Sequence, residues 1–163
     1  MKDQEWTFDD IDRSEWGPGE WDGEPDKAQW TDPETGLPCL AVRHDRSGHW
    51  CGYVGVPGDH PILSAPATDW GDNAVQELPC HGGVTYGPSP CQEDAERGVC
   101  HLTSDPTDFE PAHWIGFDCA HSGDVSPGTR RYSAFRMGES YRPLAYVKRE
   151  CAGLAGAIVK AAQ

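Results

Sequence analysis

Nineteen glycines and fourteen prolines are scattered through the 163 residues, together about one position in five. Proline removes a backbone donor and glycine raises the entropy cost of ordering, so turns must take up much of this backbone, which argues against a bundle of long helices. One segment keeps a regular period all the same. Leu144, Val147, Cys151, Leu154 and Ile158 recur at spacings of 3, 4, 3 and 4, with Lys148, Arg149 and Lys160 off the stripe. That is the period of an amphipathic helix, and Pro143 suits its first turn. A lone helix of this kind needs a sheet to lie on.

Strand signals supply one. Leu40 to His44, the turn Asp45-Arg46-Ser47-Gly48 and the run Trp50 to Val56, ended by Pro57, predict a hairpin. His81 to Tyr86, Gly98 to Leu102 and His113 to Ala120 predict three more strands. In the last, Ile115, Phe117 and Cys119 fall on one face, and Trp114, Gly116 and Asp118 on the other. Residues 58–79, with Pro61, Pro66, Gly71 and Pro79, read as a long surface loop or lid. The expected fold is α+β: an antiparallel sheet of about five strands, one face covered by the C-terminal helix, forming a single domain over residues 35–163. Residues 1–34 read as an irregular, tryptophan-rich arm. Trp16, Trp21 and Trp30 stand among glycines and prolines with no period, yet three indoles are too apolar to leave in water and should pack on the core.

Charge narrows the partners. The formal net charge is −14, and such a field repels phosphate backbones and anionic lipid, which disfavours duplex nucleic acid and membrane surfaces. No apolar run approaches the roughly 18 residues of a membrane helix, and the first residues lack the core of a signal peptide, so a soluble, cytoplasmic protein is expected. Acids outnumber bases 12 to 3 over residues 1–34 and 13 to 3 over 35–124, whereas 7 bases meet 2 acids over 125–163. Attraction between the leading arm and the trailing segment would help one fold over the other; equally, the two can be independently solvated faces.

The cysteines, at positions 39, 51, 80, 91, 100, 119 and 151, are odd in number. Free, buried thiols are the expectation in a reducing compartment. A structural metal site is the other reading, drawn from the neighbours Cys80-His81 and Cys100-His101 and from Cys119 and His121, although no C-x-x-C pair is present.

Two segments carry the candidate chemistry. In His81-Gly82-Gly83-Val84-Thr85-Tyr86, paired glycines beside a histidine let backbone approach a ligand and can turn N–H groups toward an anion. Gly116-Phe117-Asp118-Cys119-Ala120-His121-Ser122-Gly123-Asp124 is a strand running into a turn, where a rigid scaffold displays reactive side chains. Should the two converge, His81, His121 and Asp124 form a ligand set for zinc or another divalent ion, with Asp118 and His121 as the catalytic pair. Gly82, Gly83 and Thr85 would then line the ligand. The same histidines can share acid and base work without metal, or hold turns by backbone hydrogen bonds. Arg130, Arg131, Arg136 and Arg142 follow closely and can clamp phosphate or carboxylate, Arg130 and Arg131 being the candidate ligand contacts; equally they can neutralise the acidic arm and loops. His101-Leu102-Thr103 fits the H-x-T element of phosphoesterases that carry two such motifs, but no second copy exists. P-loop, dinucleotide and G-x-S-x-G patterns are absent.

Together with Trp16-Gly17-Pro18-Gly19-Glu20-Trp21, Glu24-Pro25-Asp26-Lys27 and Trp50-Cys51-Gly52-Tyr53-Val54, these two segments resemble a family of small proteins from bacteriophage and bacterial genomes. The likeness spans about residues 14–155, and Gly-Phe-Asp-Cys-Ala-His-Ser-Gly-Asp is its most specific string. It implies a phage accessory protein of the host cytoplasm and brings no catalytic residue with it. By analogy with the class, it suggests counter-defence through capture or destruction of a nucleotide signal. The expectation is therefore a binder of a small, nucleotide-like ligand that hydrolyses it with a divalent metal. A non-catalytic sponge, or a module that blocks a host defence protein through its acidic surface, is the alternative.

Overall fold

The structure is a computed structural model and describes residues 3–64, 74–103, 111, 113–129 and 138–162. Six strands form one antiparallel sheet: β1 (Gln4–Trp6), β2 (Lys27–Thr31), β3 (Pro38–Arg43), β4 (Trp50–Val56), β5 (Tyr86–Ser89) and β6 (His113–Asp118), in the spatial order β1-β2-β3-β4-β6-β5. A short parallel pair, β7 (Asp124–Val125) and β8 (Ser140–Tyr141), leads into the helix α1 (Leu144–Lys160). Among the described residues, the α+β fold with one C-terminal helix on an antiparallel sheet is thus the one the sequence predicts. No helix among the described residues is long and apolar enough to cross a membrane.

Strand alternation decides what each face of the sheet meets. Cys39 and Ala41 of β3, Val54 and Val56 of β4, and Ile115 and Phe117 of β6 share the main core with Leu144, Val147, Cys151, Leu154 and Ile158 of α1. The stripe read from the sequence is the packed face. Gly52, opposite Phe117 in the β4–β6 register, makes that packing possible: a Cβ there would lie 2.5 Å from the Phe117 ring and 2.9 Å from Cys151 Sγ. Leu40, Tyr53, Val99 and Trp114 build a smaller cluster on the opposite face.

Three elements differ from the sequence reading. The arm is not irregular throughout, because β1 and β2 lie within residues 1–34. In β2, Ala28 and Trp30 enter the main core, while Lys27 and Gln29 point the other way. There the Lys27 ammonium donates to the carbonyls of Ala95, Gly98 and Cys100 at 2.6–2.9 Å, and Gln29 exchanges two hydrogen bonds with the Leu102 backbone. Residues 98–102 are consequently a loop clasped by β2, not a strand. The third difference is at 81–85, where a turn precedes β5; pairing begins only at Tyr86, whose partner is Gly116. Of the 58–79 loop, Pro61–Ser64 forms a 3-10 turn, and residues 65–73 lie outside the described residues.

Cys91 and Cys100 are disulfide-bonded, against the expectation of free thiols throughout. The loop between them doubles back through hydrogen bonds joining Gln92 and Val99, which leaves the two Cα atoms 4.8 Å apart. The other five cysteines are free, and Cys39, Cys119 and Cys151 are buried.

Candidate metal centre

The sheet brings the two segments together. Thr85 donates its backbone N–H to Gly116 at 3.0 Å just before β5 pairs with β6, so the turn at 81–83 is held beside the end of β6. Beyond β6 the chain folds back on its own polar groups. Asp118 accepts the Ala120 N–H at 3.0 Å, and Asp124 accepts the His121 N–H through Oδ2 at 3.0 Å while its own N–H bonds to the His121 carbonyl. Short Asp side chains stabilise such turns by this bonding to nearby backbone.

His81 Nε2 then lies 2.7 Å from Asp124 Oδ2, and the His81 and His121 rings meet edge to face at 5.5 Å. One donor atom from each of His81, His121 and Asp124 falls within 4.8 Å of the others. Asp124 is the floor of the site, its side chain 1% exposed, and His121 is the open rim at 32%. Asp118 stands on the rim with Oδ1 3.6 Å from His121 Nδ1.

Electrostatics favour an ionised Asp124. Burial pushes its pKa up, but hydrogen bonds from Arg142 Nε (2.8 Å), His81 and the His121 backbone outweigh burial and hold it below the ordinary carboxylate value. An ionised carboxylate only accepts, so His81 Nε2 carries the proton in this arrangement and His81 Nδ1 accepts from the Tyr146 hydroxyl, 2.9 Å away. A phenol can reverse its role. With His81 Nδ1–H donating to Tyr146, the Nε2 lone pair faces Asp124 and His121 and becomes available to a cation.

The predicted residues divide as follows. His81, Asp118, His121 and Asp124 converge. Gly82 belongs to the site by packing: its φ is +66°, and a Cβ would stand 2.2 Å from His121 Cε1, so the imidazole rests on bare backbone. The Gly83 N–H bonds to the Cys80 carbonyl at 3.1 Å, which closes the turn. Thr85 contributes its backbone to β6 pairing, and its residue is exposed. Arg130, Arg131 and Arg136 lie outside the described residues. Arg142 is tied to Asp124, and Tyr146 went unnoticed in the sequence although it lies on the first turn of α1, beside the apolar stripe. Cys80 and Cys119 adjoin the histidines in sequence but are poor nucleophiles. Burial, with Glu150 adding to it, pushes Cys80 up to about 11, and burial together with Asp124 raises Cys119 further.

Two imidazoles and a carboxylate on a closed floor and an open rim suit a divalent ion with a coordination position left for water or ligand. Neither a protein-family model, nor a curated protein, nor a solved structure matches this chain.

Proposed function

We propose that this protein binds a divalent metal ion, zinc above others, through His81, His121 and Asp124, and uses it to hold and hydrolyse a small anionic, nucleotide-like ligand. The observation that supports this reading is the meeting of those three donors, from segments some forty positions apart, within 4.8 Å. A bound ion lowers the pKa of its water toward neutrality and offsets charge on a phosphoryl oxygen. In a chain of net charge −14 that positive centre matters, because the overall field repels an anionic ligand. Around it, Arg142 and the His121 backbone fix the Asp124 carboxylate, Tyr146 fixes the His81 ring, and Asp118 at the rim is placed to orient His121 or accept a proton. The resemblance to small phage proteins makes a host nucleotide signal the substrate class to try first.

Zinc titration of the oxidised protein, in which Cys91 and Cys100 are bonded, tests the metal. Binding should be strong in the native chain and weaker in H121A and D124N by more than the 10- to 100-fold typical of outer partners. Equal binding in all three overturns the reading. Incubation with a nucleotide library followed by denaturation separates the activity from capture: an enzyme yields products, and a sponge returns its ligand intact.

A further inference from the structure

On the face of the sheet turned away from α1, a second group of metal-binding side chains meets. Cys91, Cys100 and His101 place two sulfurs and an imidazole nitrogen within 4.8 Å of one another. Two further contacts give this group a surrounding. Trp114 donates its indole N–H to Cys91 Sγ at 3.3 Å, and the His101 ring stands edge to face on the Trp114 ring at 5.7 Å. An N–H donor aimed at a sulfur, with an imidazole fixed by a neighbouring ring, is the outer support that thiolate metal sites use. The group is chemically distinct from the His81 site, since sulfur selects softer ions than a carboxylate does.

We propose that Cys91, Cys100 and His101 form a zinc site that opens when the Cys91–Cys100 bond is reduced, so that the loop from 91 to 101 is closed by a disulfide under oxidising conditions and by metal under reducing ones. The chemistry balances with a thiol reductant of the glutathione class. Two such thiols give two electrons and two protons to the Cys91–Cys100 bond, become one disulfide, and leave two cysteine thiols. The ion then takes both sulfurs as thiolates and one nitrogen of His101, releasing two protons to solvent, and water completes the coordination. Either closure serves the same end. The loop carries the carbonyls of Ala95, Gly98 and Cys100 that surround the Lys27 ammonium, and it buries Val99 against Leu40, Tyr53 and Trp114.

Anaerobic cobalt titration of the full chain, with and without prior reduction, reads this directly, because only sulfur ligation gives an intense thiolate-to-cobalt charge-transfer band. The reduced native protein should develop the band, the oxidised protein should not, and H101A should weaken cobalt binding about tenfold or more. C91S and C100S should each abolish it. Differential alkylation of the reduced native chain needs no variant: zinc should protect Cys91 and Cys100. No charge-transfer band in the reduced native protein, a band that survives C91S and C100S, or equal alkylation of Cys91 and Cys100 with and without zinc overturns the proposal. The His81 site holds no thiolate, so loss of its metal in D124N leaves this outcome untouched.

Discussion

The carboxylate of Glu24 accepts the backbone N–H of Leu144 at 2.8 Å, joining the N-terminal arm to the first turn of α1 across 120 residues of sequence. Pro143, the N-cap, offers no side-chain acceptor, and Glu24 supplies one from outside, with a negative charge at the positive end of the helix dipole. Its other oxygen accepts from Arg43 Nη2 (2.9 Å), Trp50 Nε1 (3.1 Å) and the Tyr141 hydroxyl (2.6 Å). Arg43 is 1% exposed and lies over the Trp50 ring at 4.3 Å, and its buried guanidinium is paired with Glu24 and the buried Asp26. Removing one member of a buried charged pair typically costs 3–5 kcal/mol. We expect E24A to lose about 3 kcal/mol in urea unfolding and E24Q to lose less, because the amide oxygen still accepts from one donor. Because Tyr141 and Leu144 bracket Arg142, E24A should also loosen Arg142 from Asp124 and weaken zinc binding at His81 and His121.

Gly82 and Gly83 form a matched pair for testing how the turn serves the site. Both have positive φ, +66° and +89°, so an alanine at either strains the backbone by about 1 kcal/mol. Only at Gly82 does the new Cβ strike His121; at Gly83 nothing lies within 4 Å. His121 is at the rim and can swing away, so the damage should appear in metal affinity more than in folding. Zinc calorimetry should show G82A weakened at least about tenfold and G83A close to native, with similar urea midpoints for the two. Equal affinities would mean that the His121 position does not matter to the ion.

Tyr146→Phe removes one hydroxyl and leaves the helix surface otherwise intact. If the Tyr146 hydroxyl accepts from His81 Nδ1 when Nε2 binds metal, the variant should hold zinc about 10- to 100-fold less tightly, the usual consequence of losing an outer partner. Thermal unfolding of the metal-free protein should show a loss of no more than about 1 kcal/mol, the worth of one part-buried hydrogen bond, since Tyr146 is not among the buried residues of α1. A variant that binds zinc as well as the native chain would show that His81 needs no second partner.

What the sequence disclosed follows from how local each signal is. The α1 stripe and the β3–β4 hairpin were legible because their periods and the turn between them lie in contiguous residues. His81, His121 and Asp124 were legible as chemistry, since few other residue types can hold an ion, but their meeting depends on the pairing of Tyr86 with Gly116, which no spacing reveals. β2 was hidden for a different reason. Its alternation places Lys27 and Gln29 where apolar residues are expected, and their polar ends are satisfied only by carbonyls brought in from residues 95–102. Arg142 was legible as a cation and misleading as to its partner: it reads as a clamp for ligand and instead steadies Asp124. The Cys91–Cys100 bond was invisible because an odd count of cysteines says nothing about which two a loop returns to each other.

His49 gives the fold a measurable dependence on pH. Burial, reinforced by His44 stacked at 5.0 Å and by Arg43, and opposed by Asp118 and Asp124, pushes its imidazole down to about 4 from 6.5. The Ser47 hydroxyl, 2.8 Å from His49 Nδ1, also lies 2.9 Å from His44 Nδ1, so the turn between β3 and β4 is bonded through both rings. With a lowered value in the folded state, the unfolded chain binds the extra proton first as the solution is acidified. Stability from His49 is therefore fully present above about pH 6.5 and is lost as pH falls toward 4. The unscreened shift is reduced because part of the ring meets solvent, which leaves about 1–2 kcal/mol. Urea midpoints of the native chain and of H49Q, measured between pH 7.5 and 4, should converge as the solution becomes more acidic, the variant being less stable at the upper end and falling more gently. Parallel curves would show that His49 takes up its proton in the folded protein as readily as in the unfolded one.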